Sequence, residues 1–215
     1  MNLPDEVQKE LDAVLSQPEK FIKLLKIQDK YSGKLVNFSP NGEQKQLLKK
    51  LEKYKKIIIL KPRQIGVSTL LRAYALWKTY ITKDPLKFGV ISFHQRSAKN
   101  LRRMDKVMHD SLPYILHKPL ALDNATTMSF EESGAELSSF TAGSKGGTRS
   151  FMLSSVHLSE FAFYDDPQEM LAQIVATVGT GQIIIESTPN QPADTFHRLI
   201  MGAPENGWHL VTYWW

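Results

Sequence analysis

A basic loop in this sequence follows an apolar segment and precedes an amphipathic one. Residues 57–60 form a short, continuous apolar run of the kind that a buried parallel strand needs, and the spacing of the next apolar side chains predicts a helix over 67–81. The loop between them lies where backbone N–H groups and a helix N-terminus can bind an anion. The sequence therefore predicts a phosphate-binding loop.

Residues 61–68 depart from the usual phosphate-loop pattern G-x-x-x-x-G-K-[ST]. Gly66 and Ser68 match it, whereas Lys61 replaces the first glycine and Val67 replaces the lysine. Lys61 and Arg63 can supply the missing cation from the opposite side of the loop, Arg63 in bidentate fashion. The predicted nucleotide contacts in this segment are Lys61, Arg63, Gln64, Gly66, Val67, Ser68 and Thr69, with Ser68 also on Mg²⁺. The alternative is an ordinary basic surface loop between a strand and a helix.

A carboxylate follows a second predicted strand about ninety residues further on. The apolar segment 151–158 ends in Ser159 and Glu160, where a carboxylate can orient the water that attacks a phosphate. We predict Glu160 as the catalytic base, with a surface glutamate at a strand end as the alternative. Serine at position 159, where aspartate is usual, predicts weaker direct coordination of the metal.

Two further segments could complete such a site. Arg149 lies on the glycine-rich loop 143–149, a suitable mount for an arginine finger that enters a neighbouring subunit, although solvent or DNA phosphate could equally contact it. Ser187 and Thr188 follow the apolar residues 183–185 and could sense the γ-phosphate, unless they form a plain strand-to-helix turn.

The elements that must position these residues alternate between strand and helix. The patterns predict two short helices in an N-terminal arm, residues 1–36, before a domain at 37–215. Strands are predicted at 57–60, 88–93, 128–130, 136–140, 151–158, 182–185 and 208–215, and helices at 44–54, 67–81, 97–108, 167–177 and 194–201. This alternation predicts an α/β fold with a mostly parallel sheet covered on both faces.

Composition excludes several classes of protein. With 42% hydrophobic and 23% charged residues in 215, the chain is unlike disordered, collagenous or membrane proteins, and its N-terminus does not resemble a signal peptide. The absence of cysteine excludes disulfides and thiolate metal sites. The net charge of +5 is compatible with a polyanionic partner. Two clusters carry much of the basic charge, and either could be a solvated face: Lys49, Lys50, Lys53, Lys55, Lys56, Lys61 and Arg63, and Arg96, Lys99, Arg102, Arg103 and Lys106.

Together these residues resemble the ATPase domain of the large terminase subunit, the DNA-packaging motor of tailed bacteriophages. The resemblance covers roughly residues 35–215 and depends on the glutamine segment 37–44, the Walker A-like loop 61–68, the Walker B-like strand ending at Glu160, and the coupling segment 187–190. In many members of that family the Walker A cation lies early in the loop, as Lys61 and Arg63 do here.

The resemblance implies a three-layer P-loop NTPase fold of the RecA-like (ASCE) class that binds ATP and Mg²⁺, with Gln44 near adenine. It implies ATP hydrolysis that drives double-stranded DNA into a procapsid by a homo-oligomeric ring on the portal protein, with the small terminase subunit as a further partner. The expected location is the host cytoplasm, without membrane contact. Residues 208–215 would lead into a nuclease domain that is absent from this chain.

Two other functions remain open at this point. A helicase or remodelling ATPase of the same fold would share the phosphate loop and the base. A nucleic-acid-binding module that does not hydrolyse ATP would fit the two departures from the Walker patterns.

Overall fold

The computed structural model describes residues 4–143 and 152–214. Its strands are β1 (Lys26–Gln28), β2 (Leu35–Asn37), β3 (Lys56–Leu60), β4 (Lys87–Ser92), β5 (Leu120–Asp123), β6 (Thr127–Phe130), β7 (Glu136–Thr141), β8 (Ser155–Ser159), β9 (Gln182–Ser187) and β10 (His209–Thr212). Its α-helices are α1 (Asp5–Leu15), α2 (Pro18–Ile22), α3 (Gly42–Lys53), α4 (Val67–Ile81), α5 (Gln95–Asp110), α6 (Pro167–Val178) and α7 (Thr195–Met201). Two 3-10 turns lie at Tyr114–Leu116 and Phe161–Phe163.

One mixed sheet organises the described residues. Its eight strands lie in the order β10-β3-β9-β8-β4-β7-β6-β5, parallel from β10 to β7 and antiparallel at β6 and β5. Strand β9 therefore separates β3, which precedes the phosphate loop, from β8, which precedes Glu160. Because the carboxyl ends of parallel strands meet at one edge of a sheet, residues that follow β3, β9 and β8 are neighbours.

Helices cover both faces of this sheet. In β3, Ile57 and Ile59 belong to one core cluster with α3, α4 and part of α5, whereas Ile58 belongs to a second cluster with α6 and α7. Successive side chains of a strand point to opposite faces, so the two clusters are the two sides of a three-layer fold. The predicted three-layer, mostly parallel α/β architecture is confirmed.

The N-terminal segment contains more than the two predicted helices. Strands β1 and β2 form an antiparallel hairpin that was not predicted from the sequence. Phe21, Ile22 and Leu25 are buried in the same core cluster as α4, and the Trp77 indole donates to the Leu15 carbonyl at 2.7 Å. This segment is therefore packed onto the sheet domain, while the boundary at residue 37 stays a prediction.

Several other element bounds differ from the sequence predictions. Strand β8 begins at Ser155 rather than at 151, and β5 was not predicted. The Asp166 side chain caps the N-terminus of α6, because it accepts a hydrogen bond from the Glu169 backbone N–H at 2.9 Å. In the part of the chain that the structure describes, no helix is long and apolar enough to cross a membrane.

A buried ion pair joins α4 to α5. The Arg72 guanidinium donates to both Asp105 carboxylate oxygens, at 2.8 and 2.7 Å, and both side chains are fully buried. Such bidentate pairs are short and directional, and removing one partner leaves a buried charge without compensation.

We predict that Asp105→Ala lowers the free energy of unfolding by about 3–5 kcal/mol, because it leaves Arg72 charged and buried. Urea unfolding followed by circular dichroism measures this change. Lys23→Ala removes a solvent-exposed ion pair with Glu19 and should leave the midpoint unchanged. Equal effects of both variants would contradict the prediction.

Candidate nucleotide site

The loop between β3 and α4 has backbone geometry that requires glycine at position 66. Gly66 has φ of 77° and precedes the first residue of α4, and a Cβ there would lie 2.9 Å from the Gln44 amide nitrogen. Left-handed φ and the close approach both disfavour a side chain. Among the described residues no side chain caps the N-terminus of α4, so its first N–H groups are available to an anion.

Lys61, at the start of this loop, points into the protein. Its ammonium lies 2.9 Å from a Glu160 carboxylate oxygen and 2.9 Å from Glu186 Oε2, and the residue is only 4% exposed. Burial alone would lower the pKa of Lys61, but the charges of Glu186 and Glu160 outweigh it and raise that pKa. The predicted phosphate-binding cation therefore stays charged between two carboxylates.

Glu186 is a fully buried carboxylate at the end of β9. Its Oε1 accepts hydrogen bonds from Ser68 Oγ and Ser159 Oγ, both at 2.8 Å, and from His157 Nε2 at 3.2 Å. Burial favours the neutral acid, but the His157 hydrogen bond and the Lys61 charge outweigh it and lower the pKa of Glu186 to about 2. Burial also lowers the pKa of His157, so we assign a neutral ring whose Nε2–H donates.

Glu160 follows β8 in an unusual backbone conformation. Its φ of 57° and ψ of 44° place a non-glycine residue in the left-handed region, just before the turn Phe161–Phe163. Its side chain is 36% exposed and lines a pocket of about 360 Å³. The other residues of that pocket include Arg63, Gln64, Ser92 and His94. Such strain is concentrated at functional sites, and here the strained residue carries a side chain that contacts Lys61 and lines the same pocket as Arg63.

The coupling segment holds the turn that follows Glu160. Ser187 Oγ accepts from the Ala162 backbone N–H at 3.1 Å, and the Asn190 amide donates to the Ala162 carbonyl at 3.0 Å. The Thr188 hydroxyl is buried and has no hydrogen-bond partner in the described part of the chain. Ser187 and Asn190 therefore contact the turn after Glu160 directly, while contact of Ser187 and Thr188 with a γ-phosphate stays a prediction.

Gln44 lies beside the phosphate loop. It forms a capping box with Asn41, and its amide nitrogen lies 3.5 Å from the Ile65 carbonyl and 3.4 Å from the Gly66 carbonyl. The structure brings Gln44 to the loop, while contact with adenine stays a prediction.

The side chains of Val67 and Thr69, also predicted as nucleotide contacts, do not line the pocket of Glu160. The Val67 side chain is buried in the core, so only its backbone is available to a nucleotide. Thr69 lines a separate pocket of about 380 Å³ that also includes Asp29, Lys30 and Arg103. Arg149 lies outside the described residues.

Neither Glu186 nor His157 was predicted as a site residue from the sequence. A usable signal was present, because Glu186 is a single acidic residue that directly follows the apolar run 183–185 inside a strand. A buried carboxylate in that position needs compensating partners, and the phosphate loop is the place where they would be found.

The sequence matches no family model and no curated protein. Solved structures with a similar fold include the large terminase of bacteriophage HK97, at 15% identity over 93% of this chain, with a TM-score of 0.75. Others are the large-terminase ATPase domain of Thermus phage P74-26, at 14% identity over 81% of this chain with a TM-score of 0.64, and the large terminase of thermophilic bacteriophage D6E in complex with ADP, at 14% over 81% with a TM-score of 0.61.

These similarities define the fold of the chain. It covers 81% of the P74-26 ATPase domain, but only 43% of the HK97 chain and 45% of the D6E chain. The protein therefore has the P-loop NTPase fold of large-terminase ATPase domains and spans less than half of the two longer chains.

We predict that Gly66→Ala weakens binding of a fluorescent ATP analogue and destabilises the fold by about 1–2 kcal/mol, because alanine disfavours left-handed φ. Gly42→Ala is the matched control, since Gly42 has no heavy atom within 4 Å of a built Cβ. Equilibrium titration and thermal unfolding measure the two effects. Unchanged affinity in Gly66→Ala would contradict the loop's role.

Proposed function

We propose that this chain is the ATPase motor domain of a phage large terminase, which hydrolyses ATP with Mg²⁺ to drive double-stranded DNA into a procapsid. The observation that carries the proposal is the convergence of Lys61, Ser68 and Glu160 beside a glycine-dependent loop at one edge of the sheet. Large terminase from phage D6E has been crystallised with ADP and with ATP-γ-S, which supports a nucleotide as the ligand of this fold.

In this proposal the phosphates bind the loop backbone and the first N–H groups of α4. Arg63 is exposed on the pocket that Glu160 lines, so its guanidinium can approach phosphate oxygens in bidentate fashion. Lys61 contacts phosphate on the inner side of the loop, exchanging its Glu160 partner for phosphate oxygens. This exchange leaves the Glu160 carboxylate able to orient the attacking water.

Mg²⁺ fits the oxygen donors at this site, because hydroxyl and carboxylate oxygens are the ligands it prefers. Ser68 would hold the ion. When bound, Mg²⁺ supplies positive charge that neutralises the charge developing on the phosphates.

An exposed basic surface on α5 supports DNA as a partner. Arg96, Lys99 and Arg103 are exposed on this helix, whereas Arg102 is buried and ion-paired with Asp123. In the second predicted basic cluster, Arg102 is therefore unavailable to a partner, whereas the exposed side chains are accessible to a polyanion. The homo-oligomeric ring, the portal protein and the small terminase subunit belong to the same proposal.

We predict that Glu160→Gln reduces phosphate release by about 10²–10⁴-fold while ATP-γ-S affinity changes little, because a general base acts mainly in the transition state. A phosphate-release assay and equilibrium titration measure the two quantities. Glu205→Gln, a change at an exposed carboxylate, is the control.

Lys61→Ala and Arg63→Ala should instead weaken nucleotide binding, with Lys49→Ala as an exposed control.

A wild-type chain that binds DNA but neither ATP-γ-S nor ATP would overturn the proposal in favour of a non-hydrolysing nucleic-acid-binding module. ATP-dependent duplex unwinding would instead indicate a helicase.

We also predict that Arg149 acts across a subunit interface. Arg149→Ala protein should bind ATP normally but lose about 10³–10⁵-fold in turnover. Mixing it with Glu160→Ala protein should restore part of the activity, since some interfaces then pair an intact base with an intact arginine. Absence of complementation in mixtures shown to form rings would contradict a trans role.

A further inference from the structure

A buried carboxylate lies beside the position where the Walker B pattern lacks one. Ser159 replaces the usual aspartate at the end of β8, and Glu186, the penultimate residue of the adjacent strand β9, is its partner in the parallel register. We propose that Glu186 is the carboxylate of the Mg²⁺ site in this chain, supplied from the neighbouring strand. This inference rests on the proposed function and assigns a residue to its metal site.

The hydrogen bond from Ser68 to Glu186 leaves the Ser68 hydroxyl oxygen able to bind a metal ion. Ser68 Oγ donates to Glu186 Oε1 at 2.8 Å, and a hydroxyl that gives its proton to a carboxylate has its lone pairs free for a cation. Ser159 Oγ donates to the same oxygen at 2.8 Å. The serine at position 159 therefore orients the displaced carboxylate rather than replacing it.

The charges around Glu186 leave an excess of negative charge. Glu160 and Glu186 share the single ammonium of Lys61, at 2.9 Å from each carboxylate, while Arg72 is bound by both oxygens of Asp105. Two carboxylates therefore face one cation at this position. A buried carboxylate is costly without full compensation, and a divalent cation would provide it.

A purely structural role for Glu186 makes a different prediction. If the carboxylate only anchored Lys61 and the phosphate loop, its loss would weaken nucleotide binding equally with and without metal. If it belongs to the metal site, its loss should weaken mainly the Mg²⁺-dependent part of binding. The ratio of nucleotide affinity with metal to nucleotide affinity without metal therefore distinguishes the structural role from the metal-site role.

The experiment is equilibrium titration of the chain with ATP-γ-S, in Mg²⁺ and in EDTA. We expect wild type to bind more tightly in Mg²⁺, and Glu186→Gln to reduce the ratio of the two affinities by about 10–100-fold, the usual cost of losing a residue that supports a metal ligand. Glu205→Gln, which removes an exposed carboxylate, should keep the wild-type ratio. The double variant Ser159→Asp with Glu186→Ser should recover part of the ratio, because it returns a carboxylate to β8.

A folded Glu186→Gln protein that keeps the wild-type ratio, whether its affinity is unchanged or falls equally in both buffers, would overturn the inference while the proposed function stands. Wild type that binds ATP-γ-S in neither buffer would overturn the proposed function as well.

A measurement on the unmodified chain covers the case in which Glu186 variants do not fold. In a crystal structure with Mn²⁺ and ATP-γ-S, anomalous scattering locates the ion. We expect the Glu186 carboxylate to contact the ion or one of its water ligands, and an ion held away from Glu186 would overturn the inference.

Discussion

The buried carboxylate of Glu186 is the constraint on which the arrangement of the site depends. It lies in the sheet between the two strands that carry the phosphate loop and Glu160, and it contacts side chains from both. A carboxylate without solvent must have its donors in place, because an unsatisfied buried charge costs several kcal/mol. The register of β3, β9 and β8 therefore determines both the stability of this cluster and the geometry of the loop.

A second buried carboxylate, Asp105, also requires a charged partner, and this pair lies between the helices α4 and α5 that cover one face of the sheet. Arg72 follows Ser68 by one helical turn of α4 and is fixed by Asp105 on α5, so the helix that begins at the phosphate loop is bound to its neighbour by a directional ion pair. Buried polar groups of this kind add little net stability, since burial offsets much of their attraction. Their effect here is to restrict how α4 can slide or rotate, which fixes the N-terminus that we propose as the phosphate-binding end of the helix.

Much of the fold and part of the site could be predicted from the sequence, because their signals are local. The apolar run before Lys61, the helical spacing after Gly66 and the strand before Glu160 each lie within one short segment. The β1–β2 hairpin and β5 were missed because they are short and largely exposed, so their side chains show no clear alternation. Glu186 was missed for a different reason: its partners are Lys61, Ser68 and Ser159, and only the strand order brings these residues together.

That strand order also links the site to the segment that follows it. The Ser187 carbonyl accepts from the Lys61 backbone N–H at 3.1 Å, while Ser187 Oγ and the Asn190 side chain hold the two backbone groups of Ala162. The end of β9 thus contacts the start of the phosphate loop and the turn after Glu160 at the same time. Glu160 is held there in a left-handed conformation that its own side chain does not favour. A displacement of residues 187–190 would consequently move Glu160 and Lys61 relative to each other, and in the proposed function this is the physical route from a bound nucleotide to the rest of the domain.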